Sequence, residues 1–532
     1  MTSEDWDIEP SGSVPLERIS TGISGLDTTL MGGFLERGIY LIMAPPGSGK
    51  TILANQLAFH HAREGRQVVY VTLLAESHSR MFSHLQTLRF FDLQLVGRKL
   101  TYLSAYAIVE KSGLSGLLSM LQQVVRQTKP SILILDGAAV ADELSDSATA
   151  FKKFVHQLNT FATSSGCTTF LLSSLSEKQN RPEHTMVDGI ISMAIEEDGM
   201  RTVRELEVRK FRGSDHLHGR HYYRISDAGI QVYPRLESLR TTFVEPMRTS
   251  APERRGAGIP QLDAMLGGGF TSGSTSLLLG APGAGKTVLG LHFLKAGVDA
   301  GESCLYFGFY EDPARLLRKA EGVGLDCGAA VQTGALKIIW QLPLEHYMDE
   351  IAEGLLDCVR QQKVTRLFID GVDGLRDGGT RADRMKRYMV ALTNELRSLN
   401  VTTLISEETK QLSGEIGAST SAFSAVTENL VFMKQVEAHS ELTRVICLVK
   451  IREEQHDPKI REFKIIPGQG IVIGQPFEAN TDVLTGAFSG TEPLPKPPTK
   501  SPSKMPKSQR PKSKAHASAP TAKTPRKPAT RS

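Results

Sequence analysis

Short apolar runs alternate with stretches whose apolar residues recur at three- and four-residue spacing. In the first half of the chain the runs fall at 38–43, 67–73, 100–103, 131–136 and 168–173, and each predicts a strand. Two further strands, antiparallel, are predicted near 203–212 and 221–225. Strands that alternate with helical patterns give a mostly parallel sheet covered by helices on both faces, an α/β fold. Ligands of such sheets sit at the carboxyl ends of the strands.

The pattern occurs twice. Thr21-Gly22-Ile23-Ser24-Gly25-Leu26-Asp27 is matched by Ala257-Gly258-Ile259-Pro260-Gln261-Leu262-Asp263. The run Ile132-Leu133-Ile134-Leu135-Asp136 returns as Leu367-Phe368-Ile369-Asp370, 234 positions on, and Lys210-Phe211-Arg212 returns as Lys450-Ile451-Arg452, 240 positions on. One period of this length means a duplicated domain. The boundaries it implies are an extension at 1–14, domains at 15–245 and 246–484, and a tail at 485–532.

Candidate chemistry lies at the end of the first strand of each copy. Gly280-Ala281-Pro282-Gly283-Ala284-Gly285-Lys286-Thr287 follows Leu277-Leu278-Leu279 and fits G-x-x-x-x-G-K-[ST] throughout. Ala44-Pro45-Pro46-Gly47-Ser48-Gly49-Lys50-Thr51 departs from it only at its first glycine, and its lysine precedes Lys286 by 236 positions. Glycines let backbone N–H groups wrap a polyphosphate, the lysine brings a point charge, and the threonine hydroxyl suits Mg²⁺. A helix predicted from Thr287 to about Ala296, with amphipathic Val288–Leu294, turns its positive N-terminus to the same phosphates. The expected ligand is ATP with Mg²⁺, bound by Gly47, Ser48, Gly49, Lys50 and Thr51 and by Gly283, Ala284, Gly285, Lys286 and Thr287. Asp136 and Asp370, each closing an apolar strand, are the matching metal-side carboxylates, together with Thr51 and Thr287.

Phosphoryl transfer also needs a group that orients or deprotonates the nucleophile. In the second copy the run Cys304–Phe309 leads into Tyr310-Glu311-Asp312, so Glu311 and Asp312 are the catalytic candidates. The first copy reads Leu73-Leu74-Ala75-Glu76, leaving Glu76 alone slightly further on. An acidic helix start is the plain structural alternative at either place.

Composition narrows the setting. Five scattered cysteines, with no C-x-x-C pair, read as buried small side chains rather than a zinc or disulfide framework. The acidic N-terminus carries no leader-like apolar segment, and no run approaches a membrane span. The expectation is a soluble, cytoplasmic protein without a membrane partner. From Thr491 the tail holds eleven Lys/Arg, ten prolines and one acid, Glu492. It cannot build a core and is expected to be disordered. Its charge of +10 against +4 for the whole chain leaves about −6 elsewhere, so nucleic acid or an acidic partner is conceivable for the tail alone.

Both loops, both strand-end aspartates and both K-x-R triplets resemble the KaiC-like double-domain ATPases of the RecA-like superfamily, over about residues 15–480. Arg444–Arg452 leading to His456–Phe463 looks like that family's second-domain ending. The resemblance implies two tandem RecA-like P-loop domains, a double-ring homo-hexamer with ATP between subunits, and a signalling or regulatory protein partner. It further implies that Lys210, Arg212, Lys450 and Arg452 reach the neighbouring subunit's nucleotide. Two cations at i and i+2 on a strand share a side, as such a role requires. Also implied is serine/threonine autokinase activity on an adjacent pair, of which Ala422–Glu428 retains Ser424 while Ala425 replaces the threonine. The other reading is a RecA/RadA-type DNA-dependent ATPase of recombination or repair, anchored by the tail, although the zinc-binding cysteines and appended domain of RadA-type proteins are missing.

Overall fold

The computed structural model describes residues 17–74, 78–145, 147–174, 182–239, 253–342, 344–377, 382–409, 426–438, 441–452 and 456–477. Two nine-stranded sheets of identical order dominate it. From one edge, the first runs Leu100–Ser104, Val68–Thr72, Ile132–Asp136, Thr168–Ser173, Ile39–Met43, Gly189–Asp198, Arg201–Phe211, Arg220–Ser226 and Gly229–Tyr233. The second runs Leu336–Trp340, Cys304–Gly308, Arg366–Asp370, Thr402–Glu408, Thr275–Gly280, Asn429–Ala438, Glu441–Ile451, Arg461–Ile466 and Gly470–Pro476. In each, the first six strands are parallel and the rest form an antiparallel meander. The five predicted parallel strands of the first copy lie where the apolar runs place them. Gly189–Asp198, which ends in Glu196-Glu197-Asp198, and Gly229–Tyr233, with Gln231 at its centre, are strands beyond those expected.

Strand side chains alternate between faces, and here both faces are apolar. Tyr40 and Ile42 join one core with Leu53, Leu57 and Phe59 of the helix Lys50–Arg63. Ile39, Leu41 and Met43 join the other with Leu117, Leu121, Phe154 and Leu158. The second sheet repeats this with Leu278 on one side and Leu277 and Leu279 on the other. The helix Lys286–Asp299 departs from the amphipathic expectation, since Val288 to Leu294 are all buried. One side lies on the sheet and the other under the meander, where His292 Nε2 accepts from the N–H of Ile471 at 3.0 Å. Gly290 is part of that fit, because a Cβ there would come within 2.2 Å of the Phe368 ring.

The repeated Gly-Ile-x-x-Leu-Asp element has a local cause. Asp27 Oδ1 accepts from the N–H of Thr21 at 2.7 Å and Asp263 Oδ1 from the N–H of Ala257 at 2.5 Å, tying each turn to the helix that follows. Gly22 and Gly258 fill turn positions with φ of 65° and 75°. All five cysteines are buried with free thiols. Among the described residues no helix is long and apolar enough to cross a membrane.

The copies touch through the first meander. Tyr222 stacks on Tyr347 with ring centroids 4.7 Å apart, and Arg224 Nε donates to Glu350 at 2.9 Å. Arg384 of the second copy grips Asp349 and Glu237 together. The strand Arg220–Ser226 thus uses both faces: Tyr222 and Arg224 turn to the second copy, while Tyr223 and Ile225 turn to the first loop.

Candidate functional site

Each glycine-rich loop joins the end of its strand to the N-terminus of a helix, Lys50–Arg63 or Lys286–Asp299. Gly49 and Gly285 precede the helices with φ of 92° and 106°, a region only glycine enters cheaply. Space excludes a side chain as well: a Cβ at Gly49 would come within 2.4 Å of Ile225 and one at Gly285 within 3.0 Å of Ile465. Gly47 and Gly283 also have positive φ. Ser48 anchors the first loop, its hydroxyl donating to the carbonyl of Pro45 at 2.7 Å while its own carbonyl accepts from Tyr223 at 2.6 Å. Ala284 is buried at the matching place.

Lys286 is folded onto its loop, Nζ donating to the carbonyls of Gly280 and Ala281 at 2.8 and 3.0 Å, with Glu408 at 3.9 Å. Burial pushes its ammonium below the ordinary lysine range, against the pull of Glu408 and Asp370. Lys50 is lowered likewise, with Asp136 opposing. Such lysines gain from an anion that replaces lost hydration.

Thr51 and Asp136 come together, Oγ1 donating to Oδ2 at 3.2 Å, as do Thr287 and Asp370 at 2.9 Å. Asp136 is 2% exposed. Burial pushes its carboxyl up, while Tyr70, Lys50, Thr51 and the Gly137 N–H draw it down.

Glu311 lies past the end of its strand with a carboxylate oxygen 2.5 Å from Lys319 Nζ. Asp312 is occupied differently, capping the helix Pro313–Gly322 by accepting from the N–H of Arg315 at 3.0 Å. Register aligns the two copies: Thr72 pairs with Asp136 as Gly308 pairs with Asp370. Counted along the sequence from these pairs, Ala75 corresponds to Glu311 and Glu76 to Asp312. Ala75 and Glu76 themselves lie outside the described residues, as does Ser424.

The basic triplets do not meet their own loops. Lys210 pairs with Ile190 near the start of its neighbour strand, whereas the P-loop continues from Met43, which pairs with Ser192. Register thus sets Lys210 level with Leu41, two residues before the end of the loop-bearing strand, with Arg212 beside Asp188. There Lys210 Nζ donates to the carbonyl of His184 at 2.9 Å and Arg212 to that of Thr185 at 2.7 Å. Lys450 repeats the placement, pairing with Leu430 and donating to the carbonyl of Thr427 at 2.8 Å, and Arg452 follows it.

Several site groups escaped the sequence reading. Tyr70 and Tyr306 donate to Asp136 and Asp370 at 2.7 and 2.8 Å. They are 236 positions apart, the spacing of the two lysines, and that coincidence was the available signal. Glu407 and Glu408 end the strand beside the second loop, where register puts Ser173 and Ser174 in the first copy. Burial pushes the Glu407 carboxyl up to about 7, with Arg376 opposing.

The KaiC ATPase family model matches residues 19–237 and again 256–478. The circadian clock protein KaiC3 of Synechocystis is 27% identical over 487 residues, covering 88% of this chain and 94% of that protein. The circadian clock oscillator protein KaiC of Picosynechococcus is 27% identical over 485 residues, covering 89% and 92%. That of Thermosynechococcus vestitus is 25% identical over 486 residues, covering 89% and 92%. Two P-loops on two sheets of one order, matched over more than half of the chain, make this protein a duplicated RecA-like ATPase of the KaiC family.

Proposed function

We propose that this KaiC-family ATPase binds Mg-ATP in both copies, hydrolyses it mainly in the second, and works as a homo-hexameric switch with autokinase activity toward Ser424. The observation that carries the division of labour is the register at the end of the second strand. Counted along the sequence from the paired strand ends Thr72 and Gly308, Glu311 of the second copy corresponds to Ala75 of the first, which supports the reading.

Mg²⁺ takes hydroxyl and carboxylate oxygens a few at a time, completing its shell with water and phosphate. The pairs Thr51–Asp136 and Thr287–Asp370 offer such donors within 3.2 Å of each other. Bound there, the ion would neutralise charge on the β- and γ-phosphates. Lys50 or Lys286, with the loop N–H groups, binds the phosphates. Glu311 takes the proton of the attacking hydroxyl while the new O–P bond forms and the bond to the β-phosphate breaks, its electron pair leaving with ADP.

The hydrogen bonds of Lys210, Arg212 and Lys450 go to carbonyls outside their own P-loops, which supports a role for these residues and Arg452 toward a neighbouring subunit. An arginine supplied in trans stabilises phosphoryl-transfer charge, and ATP held between subunits bridges the assembly. The autokinase part rests on the resemblance at Ala422–Glu428. The partner is then a regulatory protein that reads nucleotide or phosphorylation state.

Incubation with γ-labelled ATP, followed by separate assays of released and protein-bound phosphate, tests the reading. Both pools should fill, with bound label lost in Ser424→Ala. Light scattering should report a hexamer in saturating Mg-ATP. A monomer would end the assembly proposal, and no released phosphate would end the catalytic one. Hydrolysis that needs single-stranded DNA would favour the recombination-type reading.

A further inference from the structure

Both candidate metal sites contain a buried tyrosine at the third position of the second strand. Tyr70 is 0% exposed and Tyr306 1%. Each hydroxyl donates to the same carboxylate oxygen that accepts from the loop threonine: Asp136 Oδ2 at 2.7 and 3.2 Å, Asp370 Oδ2 at 2.8 and 2.9 Å. A threonine hydroxyl that gives its hydrogen to the aspartate keeps its lone pairs for a cation. The arrangement therefore suits a metal only while the carboxylate keeps one rotation. The tyrosine fixes that rotation, because its ring is buried in the core and its hydroxyl donates to that carboxylate oxygen.

The second copy adds a third donor. Ser406 Oγ donates to Asp370 Oδ1 at 2.7 Å and accepts from the N–H of Gly371 at 2.7 Å. The matching position is Leu172, since Ile42 pairs with Leu172 as Leu278 pairs with Ser406. Asp370 is thus held at both oxygens by side-chain hydroxyls, Asp136 at one.

We propose that Tyr70 and Tyr306 are positioning residues that hold Asp136 and Asp370 for Mg²⁺, and that Ser406 makes the second site the more rigid of the two. The inference rests on the metal role proposed above. Hydrogen bonds behind a metal-binding carboxylate typically set 10–100-fold in metal affinity.

The test uses the full chain and a fluorescent ATP analogue, titrated with Mg²⁺ at fixed nucleotide. Tyr306→Phe keeps the ring and removes only the hydroxyl. It should raise the Mg²⁺ concentration for half-maximal response at half of the sites by about tenfold. Ser406→Ala should do the same less strongly, and Tyr70→Phe should shift the other half. Nucleotide affinity without Mg²⁺ should stay within about twofold in all three. Unchanged Mg²⁺ midpoints in both Tyr306→Phe and Ser406→Ala would overturn the inference. Equal losses of affinity with and without Mg²⁺ would also overturn it, marking the tyrosines as packing only. Wild-type binding indifferent to Mg²⁺ would instead overturn the metal assignment beneath it.

Discussion

Glu311→Gln is expected to leave ATP bound and to slow hydrolysis in the second copy by about 10²–10⁴-fold, the usual cost of removing a general base. Glutamine keeps the size of the side chain and a carbonyl oxygen but takes no proton at neutral pH. Lys286→Ala makes the contrast, because it removes the charge that faces the phosphates and should abolish binding at that site. The first copy sets the background. With Ala75 counted at the place of Glu311, its contribution should be small, so Glu311→Gln should remove most of the released phosphate in a steady-state assay. Unchanged release would move the base elsewhere. Glu408, 3.9 Å from Lys286 Nζ, would then be the group to replace next, since the first copy has Ser174 at that position and lacks its charge.

Why the loops were legible and other site residues were not follows from the range of each constraint. A P-loop is written within eight residues, because left-handed glycines, a lysine and a threonine must follow one another to wrap a phosphate. Asp136 and Asp370 were legible for a related reason, each ending an apolar strand at a near-constant distance from its lysine. Tyr70 and Tyr306 sit inside apolar runs where a tyrosine is ordinary. Only the sheet, which sets Thr72 beside Asp136 and Gly308 beside Asp370, turns their hydroxyls into partners of the carboxylates. The same register gives meaning to Ala75 and Glu76, which the sequence alone presents as one acid displaced by a residue. The placement of the K-x-R triplets against the strand that flanks the loop-bearing one needed the antiparallel pairing of Lys210 with Ile190 and of Lys450 with Leu430, a relation with no local signature. The helix Lys286–Asp299 carries a histidine among its apolar residues, yet His292 is buried and satisfied by a backbone N–H of the meander.

The contact between the copies is the longest-range of these relations and the most sensitive to one substitution. Arg384 is 7% exposed and forms a two-pronged pair with Asp349, Nη1 to Oδ2 at 3.0 Å and Nη2 to Oδ1 at 2.7 Å. It reaches Glu237 through Nε at 2.6 Å and Nη2 at 2.7 Å. Asp349 also accepts from the N–H of Leu236 at 3.0 Å, so one guanidinium and one carboxylate tie the short helix Leu236–Leu239 of the first copy to the helix Met348–Gln362 of the second. Removing one member of such a group is costly because it strands the buried opposite charge. Arg384→Ala should therefore destabilise the joined copies by about 3–5 kcal/mol. For copies of this size that is a fall of roughly 6–20 °C in Tm. The triple variant Arg384→Met, Asp349→Leu, Glu237→Leu separates charge from packing, because exchanging a whole buried ion cluster for apolar side chains of similar volume is often close to neutral. Calorimetry should then show a large fall for the single substitution and substantial recovery for the triple. A single variant that melts within about 2 °C of the parent would mean that the cluster contributes little to holding the copies together.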